Sequence, residues 1–226
     1  MNGTTTGKLR SNVCSGDTHL TPHLNPPPQG GRRWIKPALI AFVTNWLLLW
    51  GATLPAFAAE VEGVKLADTV RLGGAELALN GAGVRTRVFF KVYVGALYLQ
   101  KKTGSTDAVL GDAGAKRIAM HMLRDLEAEQ LFSALNEGLK KNHAPDQLAR
   151  LEPQVKQLEE IFNALKAAKK GDVILLDYLP GAGTRVTVRG DDKGAIAGED
   201  FNRALLRVWL GNQPADASLK KAMLGG

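Results

Sequence analysis

Cysteine is almost absent from this sequence, because the single cysteine is Cys14, close to the N-terminus. The first 58 residues are interpreted below as a leader, so the chain that follows them contains no cysteine. Without thiols it can form no disulfide, and it offers neither a thiol nucleophile nor a thiolate ligand for a metal. Its stability must then come from a hydrophobic core alone, and export to the periplasm of a Gram-negative cell is compatible with this composition.

Motifs of metalloenzymes, serine hydrolases and nucleotide-binding proteins are missing as well. After residue 58 only His121 and His143 remain, in different elements and without a second ligand at helical spacing. No Gly-x-Ser-x-Gly elbow occurs. Two Gly-Ala-Gly segments, Gly81–Gly83 and Gly181–Gly183, lack the further residues of a dinucleotide fingerprint or a P-loop, and we predict tight turns there. We therefore expect no metal and no other cofactor.

Residues 59–226 are not strongly basic, although the formal net charge of +7 for the whole chain suggests it. Residues 1–58 hold five of the 29 basic residues and one of the 22 acidic residues. The remaining 24 basic and 21 acidic residues leave only +3 on residues 59–226. Such a small excess does not favour a nucleic-acid partner, and none is expected.

The N-terminal segment has the organisation of a secretory signal. A basic flank, Arg32–Lys36, precedes an apolar run over Pro37–Leu54, and the small residues Ala56 and Ala58 follow. This order predicts cleavage after Ala58. The alternative is an uncleaved inner-membrane anchor, because the run is close to the lower length limit for a membrane span.

Two regions follow from this interpretation. Residues 1–58 are predicted to be a disordered leader plus signal peptide, and residues 59–226 one domain in the periplasm or outside the cell. Contact with a membrane is expected only through the leader, if it is retained.

The remaining chain shows strands first, helices in the middle, and then a meander and a final helix. This order predicts an α+β fold with a largely antiparallel sheet rather than alternating βαβ units. Period-two patterns predict strands, and Gly73-Gly74 predicts a hairpin between the first two: Thr69–Leu72, Ala75–Leu79, Val88–Leu99, Arg117–Leu123, Val173–Leu179, Thr184–Val188 and Ala195–Ala197. Steps of three and four predict helices over Glu127–Leu139, Leu148–Leu165 and Phe201–Trp209, and the Gly-Ser pair before Thr106 indicates a short helix over Thr106–Gly111.

One arginine stands out, because Arg85 lies between the first Gly-Ala-Gly segment and a strand that is apolar on both faces. Such a strand belongs to the centre of a sheet that is covered on both sides. An arginine and the hydroxyl of Tyr93 converging in an apolar pocket would suit a carboxylate or an enolate-like oxygen. The alternative is that Arg85 makes a surface ion pair and that Tyr93 simply packs.

The sequence also resembles the chalcone isomerase-like family, and in particular its secreted bacterial branch. The segment GAGVRTRVFFKVYVGALYL, from Gly81, resembles the glycine-alanine-glycine-x-arginine segment and following strand of that family. Phe201–Gly211, together with Leu219 and Leu224-Gly225, is similar to the closing helices of that branch. The resemblance covers Val61–Gly226 and implies an antiparallel sheet packed against helices, with a cleft between them.

Two activities are implied by the resemblance. The plant enzymes cyclise chalcones without a cofactor and use an arginine to hold the substrate oxygen, whereas the plastid relatives bind a fatty-acid carboxylate with an arginine and a tyrosine. Arg85 matches the arginine of both groups, and Tyr93 matches the tyrosine of the fatty-acid binders. The helix that carries polar catalytic groups in the enzymes is largely apolar here, over Gln130–Asn136.

We therefore expect a non-enzymatic periplasmic binder of a small amphipathic anion such as a fatty acid. Arg85 and Tyr93 would hold the anion, and Leu131, Phe132 and Leu135 would line the pocket for its tail. The alternatives are a cofactor-free isomerase that uses Arg85 as its oxyanion group, and an envelope interaction or scaffold protein. Eight fully extended residues span about 26 Å, so Arg85 and Tyr93 can share a ligand only if the chain bends near Arg87 or Val88.

Overall fold

The computed structural model describes residues 57–226, with side chains from Ala59 onward. The predicted leader, including Cys14, thus lies outside the described residues apart from the backbone of its last two residues. Within the described range, no helix combines the length and the apolar character that crossing a membrane requires.

The predicted strands and helices occur in the predicted order, and the structure adds four short strands. The strands are β1 Phe57–Val61, β2 Val64–Ala67, β3 Thr69–Leu72, β4 Ala75–Arg87, β5 Phe90–Leu99, β6 Lys116–Met122, β7 Leu126–Glu127, β8 Ala167–Ala168, β9 Val173–Leu179, β10 Gly183–Val188 and β11 Asp191–Ile196. The four added strands are β1, β2, β7 and β8. The helices are α1 Thr106–Gly111, α2 Ala128–Asn142, α3 Pro145–Arg150, α4 Glu152–Asn163, α5 Glu199–Leu210 and α6 Ala217–Met223.

A seven-stranded antiparallel sheet forms the centre of this region, in the order β11-β10-β9-β6-β5-β4-β3. The hairpin β1–β2 and the short pair β7–β8 form two further small sheets. The architecture is α+β, as the sequence predicts: one antiparallel sheet packed against a layer of helices.

Strand β5 is covered on both faces, which confirms its predicted central position. Tyr93 and Leu97 on one face belong to the larger core cluster, where the sheet meets α2, α4 and α5. Val94 and Tyr98 on the other face pack in a second cluster with Leu66 of the β1–β2 hairpin. From Val92 to Leu99 the strand is apolar because neither face of that part reaches water, whereas Phe90 and Lys91 at its start are exposed.

The predicted turn at Gly81–Gly83 is wrong, and so is the predicted start of the following strand at Val88. Strand β4 continues through these glycines to Arg87, and the chain reverses at Val88-Phe89 instead. The glycines are needed because α6 lies directly on this part of β4. A Cβ at Gly83 would lie 2.6 Å from the Cβ of Ala222, and a Cβ at Gly81 would lie 2.1 Å from its carbonyl oxygen.

The other predicted turns and helices are confirmed with small changes of boundary. Gly73 and Gly74, both with positive φ, connect β3 to β4, and Gly181–Gly183 connects β9 to β10. The long predicted helix over Leu148–Leu165 is two helices, α3 and α4, because Pro153 lies in the first turn of α4. Proline is well tolerated there, where its missing N–H would have no helical partner.

Candidate functional site

The reversal at Val88-Phe89 brings Arg85 and Tyr93 next to each other. They are directly paired residues of the antiparallel strands β4 and β5. The Cζ atom of Arg85 lies 5.6 Å from the centroid of the Tyr93 ring, which is the range of a cation–π contact. The chain therefore does bend at Val88, one of the two positions at which the sequence analysis allowed the bend that Arg85 and Tyr93 require.

Tyr93 is a buried phenol whose hydrogen bond is fixed by its partner. Its side chain is 1% exposed, and the indole Nε1 of Trp209 on α5 donates to its hydroxyl oxygen over 2.8 Å. Burial raises the pKa of Tyr93, and the charge of Arg85 together with the hydrogen bond from Trp209 acts in the opposite direction. Since the pKa is raised, the phenol keeps its proton at neutral pH and remains a donor.

Arg85 is half-buried, so it lies neither in bulk water nor in a fully enclosed interior. Its Nε is buried and has no hydrogen-bond acceptor among residues 57–226. The pairing of β4 with β5 shifts register between Arg85 and Thr86, and the amide of Thr86 donates to Asp216 Oδ2 over 3.0 Å. Asp216 is also the N-cap of α6, so the start of that helix is attached to the strand beside Arg85.

A cavity of about 170 Å³ opens beside Arg85. It is lined by Arg85–Arg87 of β4, by Ala134, Glu137, Gly138 and Lys141 of α2, and by the segment Gln213–Ala215. Three of these side chains carry positive charge and one carries negative charge. A hydrogen bond from Lys141, with the nearby charges of Arg87 and Arg85, lowers the pKa of Glu137. The wall of the cavity is therefore cationic at neutral pH, as an anion requires.

The predicted pocket-lining residues lie deeper than this cavity. Leu131, Phe132 and Leu135 are buried in the larger core cluster, where the Phe132 ring lies 6.5 Å from that of Phe162. The α2 residues that line the cavity are instead Ala134, Glu137, Gly138 and Lys141. In this structure, the space that an apolar tail would occupy is filled by the core.

A wider cleft of about 750 Å³ lies between α3, α4 and α5. Its charged groups are mostly paired with each other or with near neighbours: Arg150 with Asp146, and Arg203 with Glu199. These arginines are exposed or nearly so, and the ion pairs already neutralise much of their charge. The cleft is thus a weaker candidate for an anion site than the cavity beside Arg85.

Metal ligands do not converge in the described part of the chain. Over residues 57–226, no group of three or more His, Cys, Asp or Glu side chains is placed so that it could hold an ion. The charged residues that line the cavity are two arginines, one lysine and one glutamate, and the carboxylate of Asp216 lies nearby at the amide of Thr86.

Comparison with known proteins assigns the chain to a family. The model of the chalcone isomerase-like family matches residues 58–225, and the chain belongs to that family. Among solved structures, the chain is similar to a fatty-acid binding protein of Arabidopsis thaliana, with a TM-score of 0.58 and 16% identity over 72% of this chain and 92% of that one. This likeness shows a shared fold. Comparison with curated proteins gave no match.

Sequence reasoning missed Trp209 as a partner of Tyr93 and Asp216 as the residue that attaches α6 to β4. Both contacts join residues more than a hundred positions apart. The sequence around Trp209 carried a family resemblance, but no local pattern indicates which side chain its indole meets.

Proposed function

We propose that this protein binds a small amphipathic carboxylate, such as a fatty acid, at Arg85 and Tyr93. The observation that carries the proposal is a pair of neighbouring donors without acceptors. The Nε of Arg85 is buried and unpaired, and the hydroxyl of Tyr93 accepts from Trp209, so its own hydrogen stays available. Leaving a buried donor unpaired costs about 1–3 kcal/mol, and a ligand oxygen between the two groups would recover that energy.

A carboxylate suits these donors better than a neutral group does. It accepts hydrogen bonds only, through two oxygens, and its charge complements both the guanidinium and the cationic cavity wall. The raised pKa of Tyr93 supports this, because a neutral phenol donates whereas a phenolate would repel the ligand. The similarity to a fatty-acid binding protein of the same fold supports the lipid-like character of the ligand.

The size of the cavity limits what can bind without movement. Ligand sites for small molecules usually enclose about 300–1,000 Å³, and the cavity beside Arg85 has about 170 Å³. It accommodates a carboxylate and its first carbons. We propose that a longer tail enters between β5 and α2, with Leu131, Phe132 and Leu135 moving aside to line it.

The proposed location is the periplasm or the outside of the cell, after cleavage behind Ala58. Membership of a secreted bacterial branch of the family is part of this proposal, and the charged flank, apolar run and small residues before Ala59 support it. Sequencing the N-terminus of the protein recovered from cells tests the cleavage. Retention of the leader would favour the inner-membrane alternative.

The direct test is to identify what the protein carries when it is isolated. We expect native mass spectrometry and solvent extraction to reveal a bound carboxylic acid in the wild type. Arg85→Ala should lose it, since a charge-assisted hydrogen bond contributes about 1.5–3 kcal/mol, or roughly ten- to a hundredfold in affinity. Arg71→Ala is the matched control, because Arg71 is an exposed arginine of β3 in the same sheet, and it should retain the ligand.

The same preparations distinguish the two alternatives. Turnover of a chalcone that depends on Arg85 would favour a cofactor-free isomerase. A protein that carries no acid, binds none when fatty acids are added, and turns over no chalcone would contradict both site-based functions. The filled core around Leu131, Phe132 and Leu135 would then favour an interaction or scaffold protein.

A further inference from the structure

Three large apolar side chains are exposed at the end of the β4–β5 hairpin. Val88 is 77% exposed, Phe89 is 91% exposed and Phe90 is 59% exposed, and no other large apolar side chain with described burial is exposed. We call residues Arg87–Lys91 the hairpin tip. Single exposed apolar residues are common, but three in succession on one loop mark a site of interaction.

The backbone of the hairpin tip is under strain. The loop between the paired residues Arg87 and Phe90 has two residues, and Val88 at its first position has a φ of 59°. Two-residue loops with positive φ favour Gly or Asn, and a β-branched residue in this region is an outlier. Strain of this kind tends to occur where function requires it. The sequence keeps apolar residues where glycine at position 88 would give a more stable turn.

The hairpin tip also projects beyond its neighbouring strands. Strand β3 pairs with β4 only up to Ala78, and β6 pairs with β5 only from Tyr93 onward. Thr86–Lys91 therefore forms a two-stranded ribbon without a third strand. A projecting ribbon can enter a surface that the rest of the domain does not touch.

Cations surround the apolar residues of the hairpin tip. Arg87 and Lys91 flank them in sequence, and the Cζ of Arg124 lies 4.6 Å from the centroid of the Phe90 ring. Lys91 is paired with Glu62, over 2.7 Å. Arg87 and Arg124 are exposed and, within residues 57–226, lie within ion-pair distance of no carboxylate.

The nearby acidic residues are already engaged. Glu62 binds Lys91, Glu137 binds Lys141, and Asp125 binds Lys169 and the amide of Lys170. The charge that remains at the tip is positive. It disfavours a second copy of the same tip as the occupant and complements an anionic surface.

We infer that the hairpin tip is a membrane-docking element that inserts Val88, Phe89 and Phe90 among the lipids of an anionic bilayer. Arg87 and Arg124 contact the headgroups, where aromatic and basic side chains together are favourable. This contact is separate from any that the leader makes. It does not depend on the identity of a ligand at Arg85, although the cavity includes Arg85–Arg87 and thus opens at the base of the tip.

The test uses protein expressed from the full reading frame and recovered as the cell leaves it, so that wild type and variants share the same N-terminus. Sedimentation is measured with phosphatidylcholine vesicles and with vesicles in which a quarter of the lipid is phosphatidylglycerol. We expect stronger binding to the anionic vesicles, and weaker binding at high salt. The variant Val88→Gly with Phe89→Asn should lose at least about tenfold in affinity, since it removes the inserted apolar groups.

This variant keeps the test informative, because glycine adopts the positive φ of position 88 without steric cost. Urea unfolding should therefore be unchanged or shifted to higher concentration. A second variant, Arg87→Ala with Arg124→Ala, should lose about fivefold per arginine on anionic vesicles alone. Lys101→Ala with Lys102→Ala removes the same charge beyond the other end of β5, and should bind like the wild type.

Equal vesicle binding by the wild type and the variant Val88→Gly with Phe89→Asn would overturn the inference. So would a wild type that does not bind vesicles, even if its tip cross-links to a protein or to a second copy. A tip variant that loses vesicle binding but still binds fatty acid would support membrane docking by the hairpin tip and would leave the proposed site at Arg85 unaffected. The two proposals can thus fail separately.

Discussion

The hydrogen bond from Trp209 to Tyr93 fixes two large buried side chains, and the ring of Tyr93 lies next to Arg85. Both residues are 1% exposed, and the indole can only donate, so the phenol oxygen must accept. The orientation of the Tyr93 hydroxyl is therefore set before any ligand arrives. This organisation lets the phenol contribute to ligand binding without a further entropic cost for ordering it.

Removing the Tyr93 hydroxyl should destabilise the fold as well as weaken ligand binding. Tyr93→Phe leaves the buried Trp209 N–H unpaired, which should lower the free energy of unfolding by about 1–3 kcal/mol. Tyr98→Phe is the control, since Tyr98 is a buried tyrosine of the same strand with no hydrogen bond from its hydroxyl to the described residues. Urea unfolding measures both. Equal effects of the two substitutions would contradict the role of the Trp209 contact.

His121 on β6 should make stability depend on pH. Burial lowers its pKa from the ordinary value of 6.5, so the folded ring stays neutral where the unfolded ring already binds a proton. The unfolded state then binds more protons below about pH 6.5, and stability falls as pH decreases from there towards the lowered pKa. At pH 8 the His121 ring is neutral in both the folded and the unfolded state, so no stability is lost to its protonation.

The measurement is the urea midpoint of the wild type and of His121→Gln between pH 8 and pH 5. We expect the midpoint of the variant to decrease less over this range, because glutamine does not titrate. Parallel curves for the two proteins would show that His121 takes up its proton equally in the folded and unfolded states.

At the scale of elements, the contact between α6 and β4 determines where the candidate site can form. Gly81 and Gly83 let the helix lie directly on the strand, and Asn80 donates from Nδ2 to the carbonyl of Met223 over 2.7 Å. At the other end of α6, Asp216 binds the amide of Thr86. Both ends of the helix are thus held by the strand that carries Arg85.

A side chain at Gly83 should therefore separate the helix from the strand. In Gly83→Ala the new Cβ would lie 2.6 Å from that of Ala222, and relief of this overlap should cost about 1–3 kcal/mol of stability. Gly111→Ala is the matched control, since a Cβ there meets nothing within 4 Å and Gly111 ends helix α1. It should be neutral or slightly stabilising.

Thermal unfolding distinguishes the two substitutions. If Gly83→Ala unfolds at the temperature of the wild type, the close packing of α6 on β4 is not what requires glycine at this position.

The elements that the sequence predicts well are those whose pattern is local. The apolar steps of α2 and α5 and the Gly73-Gly74 turn each lie within a few residues of one another. The β4–β5 reversal was misplaced because Val88-Phe89 contains no turn residue, whereas Gly81–Gly83 has the composition of a turn. Glycine indicates either a turn or a close approach, and here the approaching helix lies about 140 positions further along the chain.

At the scale of the whole molecule, the sheet holds both faces of β5 in the core while its hairpin extends past the neighbouring strands. The site at Arg85 and the hairpin tip lie on the same two strands, a few residues apart. Sequence reasoning could find Arg85 and Tyr93 as candidates and state the bend that they require. It could not find the exposed tip, since Val88–Phe90 reads as the start of a buried strand and only the register shows that it projects.

The measurement that tests the central claim most directly compares one ligand with its uncharged analogue. Calorimetric titration with a fatty acid and with the alcohol of the same chain length is carried out on the wild type, Arg85→Ala and Arg71→Ala. If Arg85 holds the carboxylate, Arg85→Ala should weaken the affinity for the acid by roughly ten- to a hundredfold and leave the affinity for the alcohol unchanged. Arg71→Ala should change neither affinity. Equal affinities of wild type and Arg85→Ala for the acid, or an equal loss for acid and alcohol, would contradict this role of Arg85.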